Sequence, residues 1–266
     1  MRSHEARQEG GESVAPLMEN ESCFFRQIQT SDAMPIAKGL TSNTLKLIAV
    51  LAMFLDHAVS GFLSHELPIA MVLHLAGRIA APIMCYLVAE GYFHTSNIRK
   101  YLGRLFLFAV LSHFPYVWYF GFAPWQASSV ITSLFLGLLA LSAMQNRRLR
   151  LWQRLLVVLI CCVLARPANW NYVAVLWVVV IGQFHGSPKM QMIGLAAVGL
   201  IFHFTTTIQN FGWSHWYQLG VLLAIPLLLC YNGQRGRKSA TLKWGFYLFY
   251  PLHLLLLWGL RIIILG

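Results

Sequence analysis

Ionisable side chains are rare in the apolar segments of this sequence, and most of those present can take part in proton transfer. Asp56 and His57 are adjacent, Arg78 stands alone, and His253 follows Tyr250 by three positions. A charged side chain at the centre of a bilayer costs about 2.5–3.5 kcal/mol, so each is a candidate for function. A neutral imidazole can act as a general base, and a guanidinium or phenol can donate to a developing oxyanion. We therefore predict a catalytic site made of His57, Asp56, Arg78, His253 and Tyr250.

Asp56 and His57 cannot share one face of a regular helix. Consecutive side chains diverge by about 100°, so we expect at most one of the two to point into a given site unless the helix breaks. Two roles remain open for Asp56. It either neutralises Arg78 across two packed spans, or it orients an imidazole and raises its basicity.

Two prolines stand beside these residues. Pro82 has no N–H to bond the carbonyl of Arg78, and Pro251 frees a second carbonyl close to His253. Helices broken in this way within a membrane usually line a polar cavity. We expect His57, Arg78 and His253 to surround one cavity between the first, second and last spans. The alternatives are a simple kink with a snorkelling Arg78 and a packing role for His253.

A second group of polar residues follows the second apolar segment. Glu90 and His94 are four positions apart and can pair on one helical face. A basic run comes next, and it can hold either lipid headgroups or the phosphates of a nucleotide cofactor. The alternative for the acidic pair is a plain interfacial ion pair. The predicted cofactor-binding set is Glu90, His94, Arg99, Lys100 and Arg104.

The elements that must position these residues are membrane helices. Hydrophobic residues make up 58% of the 266 residues and charged residues only 11%, against about 25% charged in soluble domains. A helix of about 20 residues is long enough to cross the hydrocarbon core of a bilayer. Apolar windows of this length predict an all-α, polytopic membrane helix bundle with about nine transmembrane helices. The predicted spans are 45–63, 69–93, 101–120, 129–145, 151–166, 172–185, 190–208, 216–231 and 244–265.

The basic residues predict the orientation of these spans, because lysine and arginine concentrate in cytoplasmic loops. Four alternate loops carry nearly all the basic loop residues, and in the four loops between them only Arg166 is basic. We therefore predict an inner-membrane protein with a cytoplasmic N-terminus. Basic loops facing anionic lipid account for the net charge of +11, so no nucleic-acid partner is predicted. Alternate loops carry Arg99, Lys100 and Arg104, then Arg147, Arg148, Arg150 and Arg154, then Lys189, then Arg235, Arg237, Lys238 and Lys243.

Residues 1–38 differ from the rest of the chain. They are polar, of mixed charge and without the apolar core of a signal peptide, which predicts a disordered cytoplasmic leader before a membrane domain at 39–266. The cysteines show no metal-ligand spacing, and all but Cys23 lie in predicted spans, so neither a metal site nor a disulfide is predicted.

With these residues described, the chain resembles the TraX family, conjugative-plasmid membrane proteins associated with N-terminal acetylation of F-type pilin. The resemblance covers nearly the whole membrane part. One difference is His113, in SHFP at 112–115, where the family often has an acidic residue. The matching segments are LKLIA at 45–49 with Met53 and Asp56-His57, GRIAAP at 77–82, EGYFHT at 90–95, Arg99 with Arg104-Leu105, Asn232-Gly233, Arg235-Gly236, and FYLFYPLHL at 246–254.

The resemblance implies an acyltransferase that moves an acetyl group from acetyl-CoA to the α-amine of processed pilin. Acetyl-CoA is cytoplasmic, whereas a processed pilin presents its N-terminus near the outer face, so the site must be reached from both sides. His57 or His253 would take the amine proton, and Arg78 or Tyr250 would stabilise the oxyanion. Two other functions remain open from the residues alone: a transporter of a small solute or proton, and a non-catalytic pilus-assembly chaperone.

Overall fold

The structure, a computed structural model, describes residues 39–64, 67–209, 213–237 and 239–265. Within these ranges the chain is helical and contains no β-strand. The predicted leader at 1–38 lies outside the described residues. The helices are α1 Ser42–Phe62, α2 Pro68–Gly77, α3 Ala80–His94, α4 Ile98–Phe120, α5 Val130–Met144, α6 Leu151–Leu164, α7 Asn171–Gln183, α8 Pro188–Gln209, a 3₁₀ helix Trp213–Leu223, α9 Ala224–Leu229 and α10 Ala240–Leu265.

The prediction of a helical membrane bundle is confirmed by the lengths and compositions of these helices. Four are long and apolar enough to cross a membrane: Ser42–Phe62, Pro68–His94, Pro188–Thr207 and Ala240–Ile264. Shorter apolar helices cover Val130–Met144, Leu151–Leu164, Asn171–Gln183 and Trp216–Leu229. Many of their large apolar side chains are exposed, including Leu159, Ile201 and Ile263. Such an apolar outer surface is typical of helices that face lipid.

The second long span is interrupted where the sequence predicts it. Helix α2 ends at Gly77 and α3 begins at Ala80, with Arg78 and Ile79 between them. The break follows from Pro82, which has no N–H to bond the Arg78 carbonyl. Pro251 acts differently, because it lies within α10 and that helix runs unbroken past it. The two prolines therefore have unequal effects, and only the first divides its span.

Helix α1 is central to the arrangement of the site. It packs against α2, α3 and α10, and α10 also packs against α4. Helices α3, α5 and α7 pack on one another and supply much of the buried core, whereas α6 packs on the outside against α5 and α7. The three segments that carry the predicted catalytic residues are therefore joined through α1.

Alternate connections lie at the same end of the bundle. At one end Leu40 bonds the backbone of Cys230, and Gln145 bonds the Gln183 side chain at 3.0 Å. We call this the basic end, and it includes residues 40–46, 90–104, 231–237 and 239–243. At the opposite end Ser128 bonds Pro167, and Arg261 donates to the Tyr119 carbonyl at 3.1 Å. Successive spans therefore run antiparallel, as the alternation of charged loops predicts.

Candidate functional site

A cavity of about 510 Å³ opens among the helices that carry the predicted residues. Lys46 lines it near the basic end, and Asp56 and His57 line it deeper along the same helix. Lys46 and His57 are eleven positions apart, about 16 Å along the axis of α1. Asn169 and Trp170, from the α6–α7 connection at the opposite end, also line it. The cavity thus connects a charged mouth with residues that belong to both ends of the bundle.

His57, which lines this cavity, forms a direct pair with His253, which lies behind it. Nδ1 of His57 lies 2.8 Å from Nε2 of His253, and Nδ1 of His253 lies 2.8 Å from the Phe249 carbonyl. The two ring planes are nearly parallel, with an interplanar angle of 3° and ring centroids 5.1 Å apart, and each residue is only 4% exposed. Positions 196 residues apart in the chain therefore meet across the contact between α1 and α10.

Aromatic side chains surround the His57 ring. Phe120 and Tyr250 meet it edge-on, with centroid distances of 5.6 and 6.1 Å. The Tyr119 hydroxyl donates to the His57 carbonyl at 2.5 Å. Tyr250, one of the predicted residues, is buried and lines the cavity beside His57. The imidazole is therefore held by packing on several sides, and this limits its motion.

Asp56 is the negative centre of a second polar group. Its Oδ1 lies 2.7 Å from Nδ1 of His74, and its Oδ2 lies 3.6 Å from Nη1 of Arg78. The guanidinium carbon of Arg78 also lies 5.3 Å from the centroid of Trp170 and 5.2 Å from that of Tyr217, within cation–π range. Both roles left open for Asp56 match these contacts, because the carboxylate lies beside Arg78 and also bonds an imidazole, that of His74 and not that of His57.

Gly77 allows Asp56 to reach this position. A Cβ atom placed on Gly77 would lie 2.6 Å from the Asp56 Cβ, closer than side chains tolerate. The end of α2 can therefore approach α1 only because residue 77 has no side chain. The close approach holds His74 and Arg78 beside the carboxylate.

Asp56 and His57 diverge as expected, one toward α2 and the other toward α10, and both border the cavity. The arrangement differs from the expected one in another respect. Arg78 and His253 were expected on the cavity wall and are not among its lining residues. Each lies behind the wall, one contact away, because the cavity runs along α1 itself.

Only part of the predicted cofactor-binding set lines the mouth of the cavity. Glu90, His94 and Arg104 line it, whereas Arg99 and Lys100 are exposed and lie outside the lining. Among the basic residues at the start of α4, Arg99 and Lys100 point away from the cavity, and Arg104, about one turn further on, faces it. Arg99 and Lys100 therefore do not border the cavity, and their contact with a cofactor stays a prediction.

Glu90 makes the ion pair that its spacing predicts. Its carboxylate lies 3.6 Å from Nδ1 of His94 and 3.3 Å from Nε2 of His185, a residue of the α7–α8 connection. The Glu90–His94 contact considered as the alternative is therefore present, and it is an ion pair when the imidazole carries a proton. Glu90 also lines the cavity, so the pair does not remove it from the mouth.

Several further basic residues line the mouth and are not among the predicted cofactor ligands. For three of them the sequence signal is the basic run after the eighth predicted span, which predicts only the orientation of the spans. Lys46 comes from the first turns of α1, and its position at the mouth depends on tertiary contacts alone. The additional cations that line the cavity are Lys46, Arg235, Arg237 and Lys243.

A strap formed by residues 231–237 holds two of these cations in place. The Asn43 backbone N–H donates to the Arg235 carbonyl at 3.2 Å, and its side-chain amide donates to the Arg237 carbonyl at 2.8 Å. Between them Gly236 has a φ of +80° and lies against Thr41, a conformation that favours glycine. The strap is therefore fixed to the first turn of α1, and its arginines lie at the cavity mouth.

Taken together, the fold and the buried polar groups define a helical membrane protein with an ionisable cavity. The family model described as TraX protein matches residues 41–261, and the chain belongs to this family. It is 33% identical over 227 residues to a protein named probable fimbrial assembly protein FimC, serogroup H1, of Dichelobacter nodosus, covering 80% of this chain and 92% of the relative. No solved structure matches the chain.

The Asp56–Arg78 pair generates a prediction about stability. Asp56→Asn and Arg78→Gln should each lower the free energy of unfolding by about 1–3 kcal/mol, because each leaves a largely buried charge without its partner. The double variant should lose less than the sum, with a coupling of about 0.5–3 kcal/mol. Unfolding in mixed detergent micelles, followed by tryptophan fluorescence, measures this. Arg166→Gln, an exposed change at the opposite end, is the control, and strictly additive losses would contradict the coupling.

Proposed function

We propose that this protein transfers an acetyl group from acetyl-CoA to the N-terminal amine of a pilin subunit. The observation that carries the proposal is the cavity, which connects a mouth rich in cations with a buried histidine pair. Membership of the TraX family and the similarity to a fimbrial assembly protein support pilin as the partner. The proposal assigns the mouth to the acetyl donor and the deeper part to the reaction.

The mouth suits a ligand with several phosphates. Arg104, Arg235 and Arg237 line it together with Lys46 and Lys243, and these side chains can form charge-assisted hydrogen bonds to phosphate oxygens. The aromatic rings of Tyr101, Phe246 and Tyr247 line the same region and offer surfaces on which a nucleotide base can stack. CoA carries both features, and its thioester arm would extend about 16 Å inward to reach His57.

The deeper part supplies what acyl transfer to an amine requires. The α-amine has a pKa of about 8, so an imidazole is an adequate base for its proton, and His57 or His253 would take it. Tyr250, which lines the cavity, is better placed than Arg78 to donate to the oxyanion of the thioester carbonyl. Asp56 keeps Arg78 neutralised. The cavity lining contains no cysteine among its described residues, so direct attack by the amine is the proposed route.

The proposed topology has about nine crossings of the bacterial inner membrane with the N-terminus in the cytoplasm. It places the basic end toward cytoplasmic acetyl-CoA and toward anionic lipid. The opposite end, where Asn169 and Trp170 reach the cavity, then faces the compartment in which a processed pilin presents its amine. The proposed reaction therefore draws its two substrates from opposite sides.

A solute transporter is the second candidate, because a cavity lined by residues of both ends is also what alternating access needs. A transporter would leave the pilin N-terminus unmodified, and so would a non-catalytic assembly chaperone. The chemical state of the pilin N-terminus therefore separates the proposed enzyme from both alternatives.

The reaction is tested by co-expressing pilin with and without this protein and measuring the mass of mature pilin. We expect an added acetyl group on the N-terminal residue only in the presence of the protein. Fragment spectra locate the modification, and pilin expressed alone is the control. Identical unmodified pilin in both samples, with the protein present in the membrane, would refute the enzyme proposal.

The cavity mouth generates a prediction about the acetyl donor. Arg235→Gln and Arg237→Gln should each raise the KM for acetyl-CoA about tenfold, because one charge-assisted hydrogen bond contributes about 1.5 kcal/mol. The kcat should change little, since these contacts are made before and during the reaction alike. Arg99→Gln and Lys100→Gln are matched controls, because both are basic residues close by but outside the cavity lining. Equal effects in the two sets would remove the donor from this mouth.

The orientation is tested with reporter fusions in the connections. A reporter active in the cytoplasm should be active after Gln145 and Gln234, and one active in the periplasm should be active after Phe122 and Asn210. The reason is that the first two lie in basic connections and the others do not. Inverted activities would place the mouth on the wrong side for cytoplasmic acetyl-CoA.

A further inference from the structure

We infer that His57 is the general base of the proposed reaction and that His253 is its positioning residue. The hydrogen bond between His253 and the Phe249 carbonyl distinguishes the two roles. The inference rests on the proposed function, which by itself leaves the two histidines equivalent. It uses the direction of the hydrogen bonds along the chain Phe249, His253, His57.

The direction of these hydrogen bonds is set by the Phe249 carbonyl, a group that can only accept. A backbone carbonyl has no proton to donate, so the contact of 2.8 Å requires that Nδ1 of His253 carries the proton. A neutral imidazole has a single N–H, so Nε2 of His253 has a lone pair and accepts. Its partner at 2.8 Å, Nδ1 of His57, must then be the donor. The remaining nitrogen of His57, Nε2, is left with a lone pair.

The remaining nitrogen belongs to the residue that borders the cavity. His57 lines the cavity, whereas His253 lies behind it and spends both ring nitrogens on protein partners. Asp56 and Tyr250 line the cavity next to His57, and Tyr119 holds its backbone carbonyl. In this arrangement His57 is the histidine that can touch substrate. His253 acts through it, by selecting the tautomer and fixing the ring plane.

The proposed step balances in protons and electron pairs. The amine nitrogen forms a bond to the thioester carbonyl carbon, and its proton passes to Nε2 of His57. The resulting imidazolium is stabilised because its Nδ1–H already donates to His253. As the carbon–sulfur bond breaks, the proton passes from His57 to the departing thiolate, so the products are an amide and a neutral thiol. His57 returns to its starting tautomer, and no other reactant is needed.

Substitutions at position 253 separate positioning from proton transfer. In His253→Gln the side-chain carbonyl can still accept from Nδ1 of His57 but cannot titrate, so we expect kcat within about threefold of the original value. His253→Leu removes the acceptor, and kcat should fall about tenfold or more. The KM for acetyl-CoA should stay unchanged in both. His57→Gln should lower kcat about a hundredfold or more, the usual effect of losing a general base.

The assay uses the full-length protein in lipid vesicles, acetyl-CoA and a synthetic peptide that carries a processed pilin N-terminus. His113→Gln, a half-buried histidine of α4 outside the cavity, is the control and should keep the original rate. An equal loss in His253→Gln and His253→Leu would overturn the inference, because it would mean that residue 253 must titrate. Unchanged rates in both variants would overturn it as well.

A second measurement does not depend on acetylation. Solid-state NMR of protein labelled with nitrogen-15 in its histidine rings reports which nitrogens carry protons. We expect protonated Nδ1 and unprotonated Nε2 on both residues, with a coupling across the hydrogen bond between them. Signals are assigned by their loss in His57→Gln and His253→Gln. A protonated Nε2 on His57 would overturn the inference even in an active enzyme. The expected pattern in a protein that acetylates nothing would refute only the proposed function.

Discussion

The structure depends on one electrostatic constraint, which is that the charges buried between its helices need partners. Asp56 meets this constraint for two residues at once, because its two oxygens face His74 and Arg78. The close approach that makes this possible requires Gly77, and the break after that residue lets Arg78 leave the regular helix. His57, as the next residue of α1, is then turned away toward α10, where it meets its own partner. The polar groups on both faces of α1 therefore follow from the placement of a single carboxylate.

Much of the local structure could be predicted from the sequence, because it depends on neighbouring residues. The apolar segments, the break near Pro82 and the pairing of Glu90 with His94 all follow from spacing and backbone chemistry. His74 could also have been assigned a role, since it lies four positions before Arg78 and therefore on the same face of the helix.

The contacts that complete the site could not be predicted in the same way. Trp170, from the α6–α7 connection, and Tyr217, from the 3₁₀ helix, pack on Arg78 from far along the chain, and no local pattern marks them. Arg235 and Arg237 were visible as charges, but their position depends on backbone hydrogen bonds to the start of α1. The position of Arg99 and Lys100 outside the cavity lining has the same origin, because closeness in sequence to cavity-lining residues does not determine which way a side chain points.

The strap and the histidine pair are attached to the same helix, so the length of α1 sets the distance between them. The first turn of α1 is tied at Asn43 to the arginines of the mouth, and His57 lies about 21 Å further along a helix of constant rise. One residue added between Lys46 and Asp56 would lengthen the helix by only about 1.5 Å but would rotate everything beyond it by about 100°. His57 would then face away from His253, and Asp56 away from Arg78. The number of residues between the mouth and His57 is therefore fixed by the rotation that an added residue would cause, far more than by the change in length.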